Sequence, residues 1–431
     1  MQKVIIFVHP WMWVVDAFEA CCLHGYRIIS VVTQFETQRI DADWLSEHSD
    51  HVIFSSGDAA DDAKAISRWL SVENLACAFV VNGLDAAFGF ADSLSRHLNN
   101  VPVQANNAAL FLNKHRLNSH LHSCQIPVIT GEEITHISQL SEKQSLFNAM
   151  GYPLIAKPSE DTAAMADVKV IKNEEALLNY VSHTLGKNNR YYADRKINSI
   201  LIQKLIPHTS REYFIDYLSV GAKHILVGCG QYLYDKNRVL RGIDIYSVEQ
   251  IDALAPALLY LQNVLDASGM INGFTHNEVF ITADNEILLV ECNPRHCGQP
   301  SSTLYKHVYG SHRMAVLLDV LDGYTDGESC QIKFSDQFAG AVHLYNHMTD
   351  YPDTLNVDGL PCEHEIISFR GAGQPTVPAD FYTDQDRIGQ ISAIIALYAD
   401  SVESLAQGRA FLKDRETEGT LFLRQSADRL T

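Results

Sequence analysis

Two short segments carry residue types that could do chemistry at a fixed spacing: Gly273-Phe274-Thr275-His276-Asn277-Glu278 and, beyond a polar turn, Glu291-Cys292-Asn293-Pro294-Arg295-His296-Cys297-Gly298. Their flanks, Val279-Phe280-Ile281-Thr282 and Ile287-Leu288-Leu289-Val290, are apolar and rich in β-branched residues. Asp284-Asn285 between them tolerates the left-handed backbone of a tight turn, so the pattern predicts a β-hairpin. A turn centred on that pair sets Glu278 opposite Glu291 and His276 opposite Asn293, and the two-residue side-chain period puts all four on one face. Directly opposed carboxylates repel unless a cation lies between them or one is protonated. Two carboxylates and an amide oxygen suit Mg2+ bridging phosphate oxygens, which makes Glu278, Glu291 and Asn293 the candidate metal ligands. Arg295, two residues past Asn293, points to the same side.

Two other readings of the hairpin stand beside this one. Acids on an exposed strand often serve only to keep an edge soluble. Here apolar residues surround the acids on both faces, and Gly273 and Gly298 bracket the unit as if backbone approached closely. A zinc site could draw on His276, Cys292, His296 and Cys297, but Cys292 and Asn293 point to opposite faces and the chain has no Cys-x-x-Cys pair.

The elements that must position the hairpin follow from hydrophobic patterning. Strands at Val4–Val8, Arg27–Val32, His51–Phe54 and Cys77–Val81 alternate with helices through Phe18–Leu23 and Ala63–Trp69, a βαβ rhythm that predicts a parallel sheet. The first strand is followed by no Gly-x-Gly-x-x-Gly, so the cofactor is not expected in that domain. A helix through Asn113–Leu121 leads to a strand-rich middle: Tyr152–Pro158 with Lys157, Val168–Ile171, the helix Glu174–Thr184, Ile200–Ile206, and Arg211–Tyr217 with alternating polarity that implies an antiparallel neighbour. A helix over Ala253–Ser268 precedes the hairpin, and a capped helix from Asp400-Ser401 through Leu412 is expected near the C-terminus. The fold class is α/β and α+β.

Composition narrows the partners. The chain has 431 residues, 46% of them hydrophobic, enough to bury several cores. With 33 basic and 52 acidic residues the net charge is −19, which argues against nucleic acid or an anionic membrane as partner. Nine irregularly spaced cysteines suit reduced thiols and a cytoplasmic location better than a disulfide framework. The apolar run Val4–Val15, interrupted by His9 and Pro10, is expected to be a buried strand rather than a signal peptide, and no run is long enough to span a bilayer.

From about Asn113 to about Leu304 the chain resembles the ATP-grasp superfamily of carboxylate-amine and carboxylate-thiol ligases. The residues that carry the resemblance are Asn113-Lys114, Ala156-Lys157-Pro158, Gln203-Lys204-Leu205-Ile206, Arg211-Glu212-Tyr213 and the two hairpin segments. Among its branches the chain is most similar to L-amino-acid ligases that make dipeptides, through His276-x-Glu278 and Asp386-Arg387-Ile388-Gly389.

The resemblance implies an N-terminal parallel α/β domain (1–112), with Asn82-Gly83-Leu84-Asp85 and Asn106-Asn107 suitably placed. An ATP-grasp domain of two α+β lobes (113–325) and a C-terminal α/β part (326–431) would follow. It implies that Lys114 and Lys157 contact ATP phosphates, that Gln203, Lys204, Leu205 and Ile206 form the adenine hinge, and that Glu212 accepts from ribose. Glu278, Glu291 and Asn293 would hold two Mg2+, with Mn2+ able to substitute, and Arg295 and His276 would act at the reacting groups.

The implied activity is ATP-dependent amide formation between amino acids through an acyl phosphate, with small molecules as partners and a homodimer allowed. Arg238 and Arg241 are candidates to grip a substrate carboxylate. The alternatives are a biotin-carboxylase-like or purine-pathway enzyme, or a catalytically weakened ATP-binding module. That last alternative is motivated by one departure: the family's glycine-rich phosphate loop is replaced by Ser159-Glu160-Asp161-Thr162-Ala163-Ala164-Met165-Ala166-Asp167, with no glycine between Gly151 and Gly186. Its acids would repel a triphosphate if they faced it. A second departure is Lys204, where relatives often carry an acid.

Overall fold

Continuous apolar runs at the N-terminus form β-strands, the central ones buried on both faces as a parallel sheet requires, while the edge strand at His51–Phe54 is partly exposed. In the computed structural model, β1 (Gln2–Val8), β2 (Arg27–Val32), β3 (His51–Phe54) and β4 (Leu75–Asn82) make a parallel sheet of order β3-β2-β1-β4. The structure describes all residues except 11–14, 35–41, 162–166, 190–194, 299–300, 311, 325–336, 347–351, 372–390 and 425–431. Asp386-Arg387-Ile388-Gly389 therefore lies outside the described residues, as do Thr162–Ala166 of the glycine-free loop.

The chain divides into two units, one of Met1–Cys229, Leu254–Gly298 and His312–Ile332, the other of Gly230–Ala253, Gln299–Ser311 and Lys333–Thr431. The first unit holds the parallel sheet and two further sheets. One consists of β5 (Gly131–Ile134), β6 (Leu154–Pro158), β7 (Lys169–Ile171) and β8 (Ile200–Lys204), in the order β5-β8-β6-β7. Its apolar face packs under the helices Gln144–Met150 and Glu174–Thr184 through Phe147, Leu154, Leu177 and Ile202. The other contains β9 (Arg211–Val220) and the first half of β10 (Lys223–Tyr234). After β10 come β11 (Leu240–Ile245), a strand of the second unit, and the helix Ala255–Ser268. The chain then returns to the first unit's sheet as the hairpin β12 (Gly273–Ile281) and β13 (Ile287–Asn293), giving the order β13-β12-β9-β10. Leu218, Ile225, Val227 and Phe274 of this sheet share a core with Ile5, Phe7 and Ile28 and with the helix Arg313–Leu321, which ties the hairpin to the parallel sheet.

The second unit continues from the end of β10 through β11, β14 (Phe338–Leu344) and, after a short pair made by β15 (Thr354–Leu355), to β16 (Glu363–Phe369) and β17 (Ala393–Ala399), in the order β11-β14-β17-β16. β15 pairs with β18 (Phe422–Leu423). The predicted C-terminal helix spans Val402–Glu418, with Ser401 as its cap accepting from the Ser404 N–H. Among the described residues no helix is long and apolar enough to cross a membrane.

His343 on β14 is 5% exposed, and neither ring nitrogen has a hydrogen-bond partner among the described residues. Burial pulls its pKa from 6.5 to about 4. The folded chain therefore keeps the ring neutral where the unfolded chain protonates it. The associated stability is complete above pH 6.5 and is lost as pH falls from 6.5 through about 4, up to about 3 kcal/mol. Thermal unfolding from pH 7 to pH 4.5 should show this loss, and His343→Leu should flatten that pH dependence.

Candidate active site

The hairpin reaches its expected pairing by an unexpected route. The turn is the loop Ala283-Asp284-Asn285, closed by Thr282 N–H to Glu286 O at 2.9 Å, with Asn285 at φ +61°. That loop is one residue longer than the two-residue turn the sequence suggests. Next to it Val279, Phe280 and Ile281 pair with Leu289, Leu288 and Ile287. A bulge at Val290 then inserts one residue and restores Glu278 opposite Glu291 and His276 opposite Asn293. Side-chain contacts support the bulge. The Leu289 N–H donates to the Tyr260 hydroxyl at 3.0 Å, and the Val290 carbonyl accepts from Lys157 Nζ at 3.5 Å.

Gly273 is crowded by the chain itself: a Cβ there would lie 2.9 Å from Gln104 Oε1, and φ is +122°. Among the described residues nothing crowds a Cβ built at Gly298, so only the Gly273 end shows the expected close approach.

The opposed carboxylates are met by cations from three directions. Lys114, first residue of the helix Lys114–Ser123, places Nζ 3.5 Å from Glu291 Oε1. Lys157, on β6, is buried. Burial pulls its ammonium below the ordinary lysine value, and Glu291 is the strongest opposing influence. Burial likewise pushes the Glu291 carboxyl up, but Lys114, Lys157, the Asn293 side chain and Arg295 more than offset that and hold it below its ordinary value. The repulsion inferred from register is thus compensated by protein charge. The donor set itself fits a hard cation: two carboxylates and an amide on one strand face, one carboxylate in an ion pair long enough to be exchanged for a metal bond.

His276 is 5% exposed and lies between two carboxylates, Nδ1 2.6 Å from Asp216 Oδ1 and Nε2 3.5 Å from Glu278 Oε1. Burial lowers its pKa, but Asp216 and Glu278 prevail and raise it to about 9. Its Nε2 thus faces the carboxylate of Glu278. Arg295 is fixed by Nε to Asp85 Oδ2 at 2.8 Å and Nη1 to the His296 carbonyl at 2.8 Å. Asn82 adds a bond from Nδ2 to the Pro294 carbonyl at 2.8 Å, so the end of β4 holds the turn that follows β13. A cleft here is lined by Asp85, Asn113, Lys114, Asp161, Glu291 and Asn293.

The alternating polarity of β9 does not mark a solvent face. Glu212 and Asp216 are both buried, and they stand opposite Phe280 and His276 of β12. Asp216 could have been found in the sequence, since it shares the strand face of Glu212.

Of the expected hinge, Gln203 is buried on β8 with Nε2 3.4 Å from the Ile129 carbonyl. The Lys204 N–H is bonded to the Thr130 carbonyl at 2.9 Å and its side chain is exposed. Leu205 is half-buried, and Ile206 joins Ile129, Phe280 and Leu288 in an apolar patch beside the hairpin.

The acids of the glycine-free loop have partners of their own. Glu160 accepts from Asn113 Nδ2 at 2.7 Å, Asp161 pairs with Arg195 at 2.6 Å, and Asp167 pairs with Lys187 at 3.3 Å. Asp161 and Asp167 take φ of +53° and +56°, so aspartates occupy left-handed positions that glycine would otherwise supply. Asn113 also caps its helix by accepting from the Arg116 N–H and donates to Glu133.

In the second unit Arg241 is bonded to Asp235 at 3.1 Å and to Glu416 at 3.1 Å, over the ring of Tyr345. That guanidinium is tied into the unit's own packing, against the expectation that it grips substrate. Arg238 stacks over Tyr234.

Residues 150–304 match the family model of the ATP-grasp domain. No curated protein matches the chain by sequence. Among solved structures, an L-amino acid ligase from Bacillus licheniformis is similar at a TM-score of 0.71 and 15% identity, covering 99% of each chain. The biotin carboxylase domain of the Hydrogenobacter thermophilus 2-oxoglutarate carboxylase, solved with MgADP and bicarbonate, is similar at 0.64 and 13%, covering 96% of this chain and 90% of that one. A carboxyaminoimidazole ribonucleotide synthase from Aspergillus clavatus, solved with ATP, is similar at 0.66 and 14%, covering 97% and 98%. At these identities the likeness establishes a shared fold.

Proposed function

We propose, for a chain that carries an ATP-grasp domain over residues 150–304, that it is an ATP-dependent carboxylate–amine ligase joining two amino acids through an acyl phosphate. The observation that carries this reading is the gathering of Lys114, Lys157 and Arg295 on the opposed carboxylates Glu278 and Glu291. Phosphoryl transfer asks of a protein mainly positioning and charge neutralisation, which is what these residue types supply. Lys114 and Lys157 bind the phosphates, the segment Gln203–Ile206 meets adenine through its backbone, and Glu212 accepts from the ribose. Glu278, Glu291 and Asn293 would hold Mg2+ or Mn2+, taken as two ions; metal bound there neutralises phosphoryl oxygens. His276 orients the Glu278 carboxylate.

A substrate carboxylate oxygen attacks the terminal phosphorus and ADP leaves. The second substrate's amine then attacks the acyl carbon, phosphate departs, and the amine proton passes to solvent. Arg295, its fork held by Asp85, steadies the phosphoryl group in both steps. Acyl phosphates hydrolyse, so the site must exclude water while the intermediate exists.

The testing experiment is an ADP-release screen over pairs of amino acids with mass detection of products. An amide formed with one ADP per bond is the expected result. AMP in place of ADP would rule out the acyl phosphate. ADP release driven by bicarbonate would instead favour a biotin-carboxylase-like reaction. Nucleotide binding without turnover on any pair would favour a weakened binding module.

A further inference from the structure

Beside Glu278, in the same unit, lies a buried charged chain of which the proposed roles use His276 but neither Asp216 nor Arg313. Asp216 on β9 divides its two oxygens: Oδ1 accepts from His276 Nδ1 at 2.6 Å, and Oδ2 accepts from Arg313 Nη1 at 3.2 Å. Arg313 opens the helix Arg313–Leu321 and is 3% exposed. Its guanidinium also reaches Cys297, contacting Sγ and donating from Nη2 to the carbonyl at 3.2 Å. One arginine therefore braces both halves of the hairpin's open end, the β12 side through Asp216 and His276, and the segment after β13 through the Cys297 carbonyl.

A buried ion network is a poor way to stabilise a core, because desolvation offsets much of the attraction. This one ends on Glu278, and its geometry sets which carboxylate oxygen His276 engages and which is left for a cation. From this geometry we infer that Asp216 and Arg313 are positioning residues for the metal site, acting through His276 on Glu278. The inference rests on the ATP and metal reading above and assigns it two residues outside the ligand set.

Outer partners of metal ligands typically contribute about 10–100-fold to metal affinity. The experiment is a titration of Mn2+ into the full-length chain with ADP, followed by the electron paramagnetic resonance signal of free Mn2+, alongside calorimetry of ADP binding without metal. Asp216→Asn is expected to weaken Mn2+ binding within that range and leave metal-free ADP affinity within about twofold. Arg313→Lys keeps the charge but loses the fork, and should weaken Mn2+ by a smaller factor in the same direction. It also decides the matter if Asp216→Asn does not fold. Folded variants with wild-type Mn2+ affinity would overturn the inference. Equal losses with and without metal would do the same, since a merely structural role would lower both. A wild-type chain that binds neither ADP nor Mn2+–ADP would overturn the underlying reading and this one with it.

Discussion

Glu291→Gln is expected to lower metal-dependent ADP release by about a thousandfold or more, the scale of several kcal/mol of charge stabilisation that a bound metal supplies. The side chain keeps its shape, so the loss isolates charge. Glu291 faces Glu278 directly and is held ionised by Lys114, Lys157, Asn293 and Arg295 against the effect of burial. Removing its charge leaves those cations in excess. Metal-free ADP should therefore bind as well as before or more tightly, while Mg2+ no longer enhances binding. Steady-state ADP release together with calorimetry with and without Mg2+ measures both arms. Unchanged turnover would remove Glu291 from the metal site, and loss of ADP binding in both conditions would point to a collapsed site. Because Glu291→Gln also breaks the partly buried ion pair with Lys114, a melting curve belongs with the assay.

Arg295→Lys should lower kcat by about a hundredfold to a thousandfold with the KM for ATP changed only a few-fold. A lysine cannot reproduce a fork that bonds Asp85 through Nε and the His296 carbonyl through Nη1 while still facing the carboxylates. The change would fall on the step in which phosphoryl charge moves. A rise in KM with kcat intact would instead assign Arg295 to fixing the β4–hairpin contact, a structural task that Asp85 alone suggests. Single-turnover measurements with the acid substrate alone would separate acyl-phosphate formation from amide formation, and both should be slowed.

The parallel N-terminal sheet, a helix through Asn113–Leu121 and the hairpin were legible in the sequence because each depends on local order, strand and helix period and a turn at Asp284-Asn285; that Asn113 caps the helix rather than lying in it came from the structure. The opposed pair Glu278 and Glu291 was legible too, although the turn is one residue longer than expected. The Val290 bulge compensates, and bulges depend on contacts such as the Tyr260 hydroxyl that come from distant chain. The loop acids looked like an obstacle to phosphate because their partners, Asn113, Arg195 and Lys187, are remote in sequence.

Sequence alone placed the hairpin and its turn to within one residue, since side-chain period and turn residues are properties of a few consecutive residues, whereas the Val290 bulge, which depends on distant chain, decided that Glu278 faces Glu291. It also carried the resemblance that the ATP-grasp match over residues 150–304 agrees with. Tertiary structure decided how the opposed carboxylates are neutralised, that Asp85 locks Arg295, that Arg241 is tied to Asp235 and Glu416, and that Arg313 stands behind Asp216. Apart from the local Arg241–Asp235 bond, those outcomes depend on pairs remote in the chain, and Coulomb energy depends on distance and burial, which a linear order of residues does not contain.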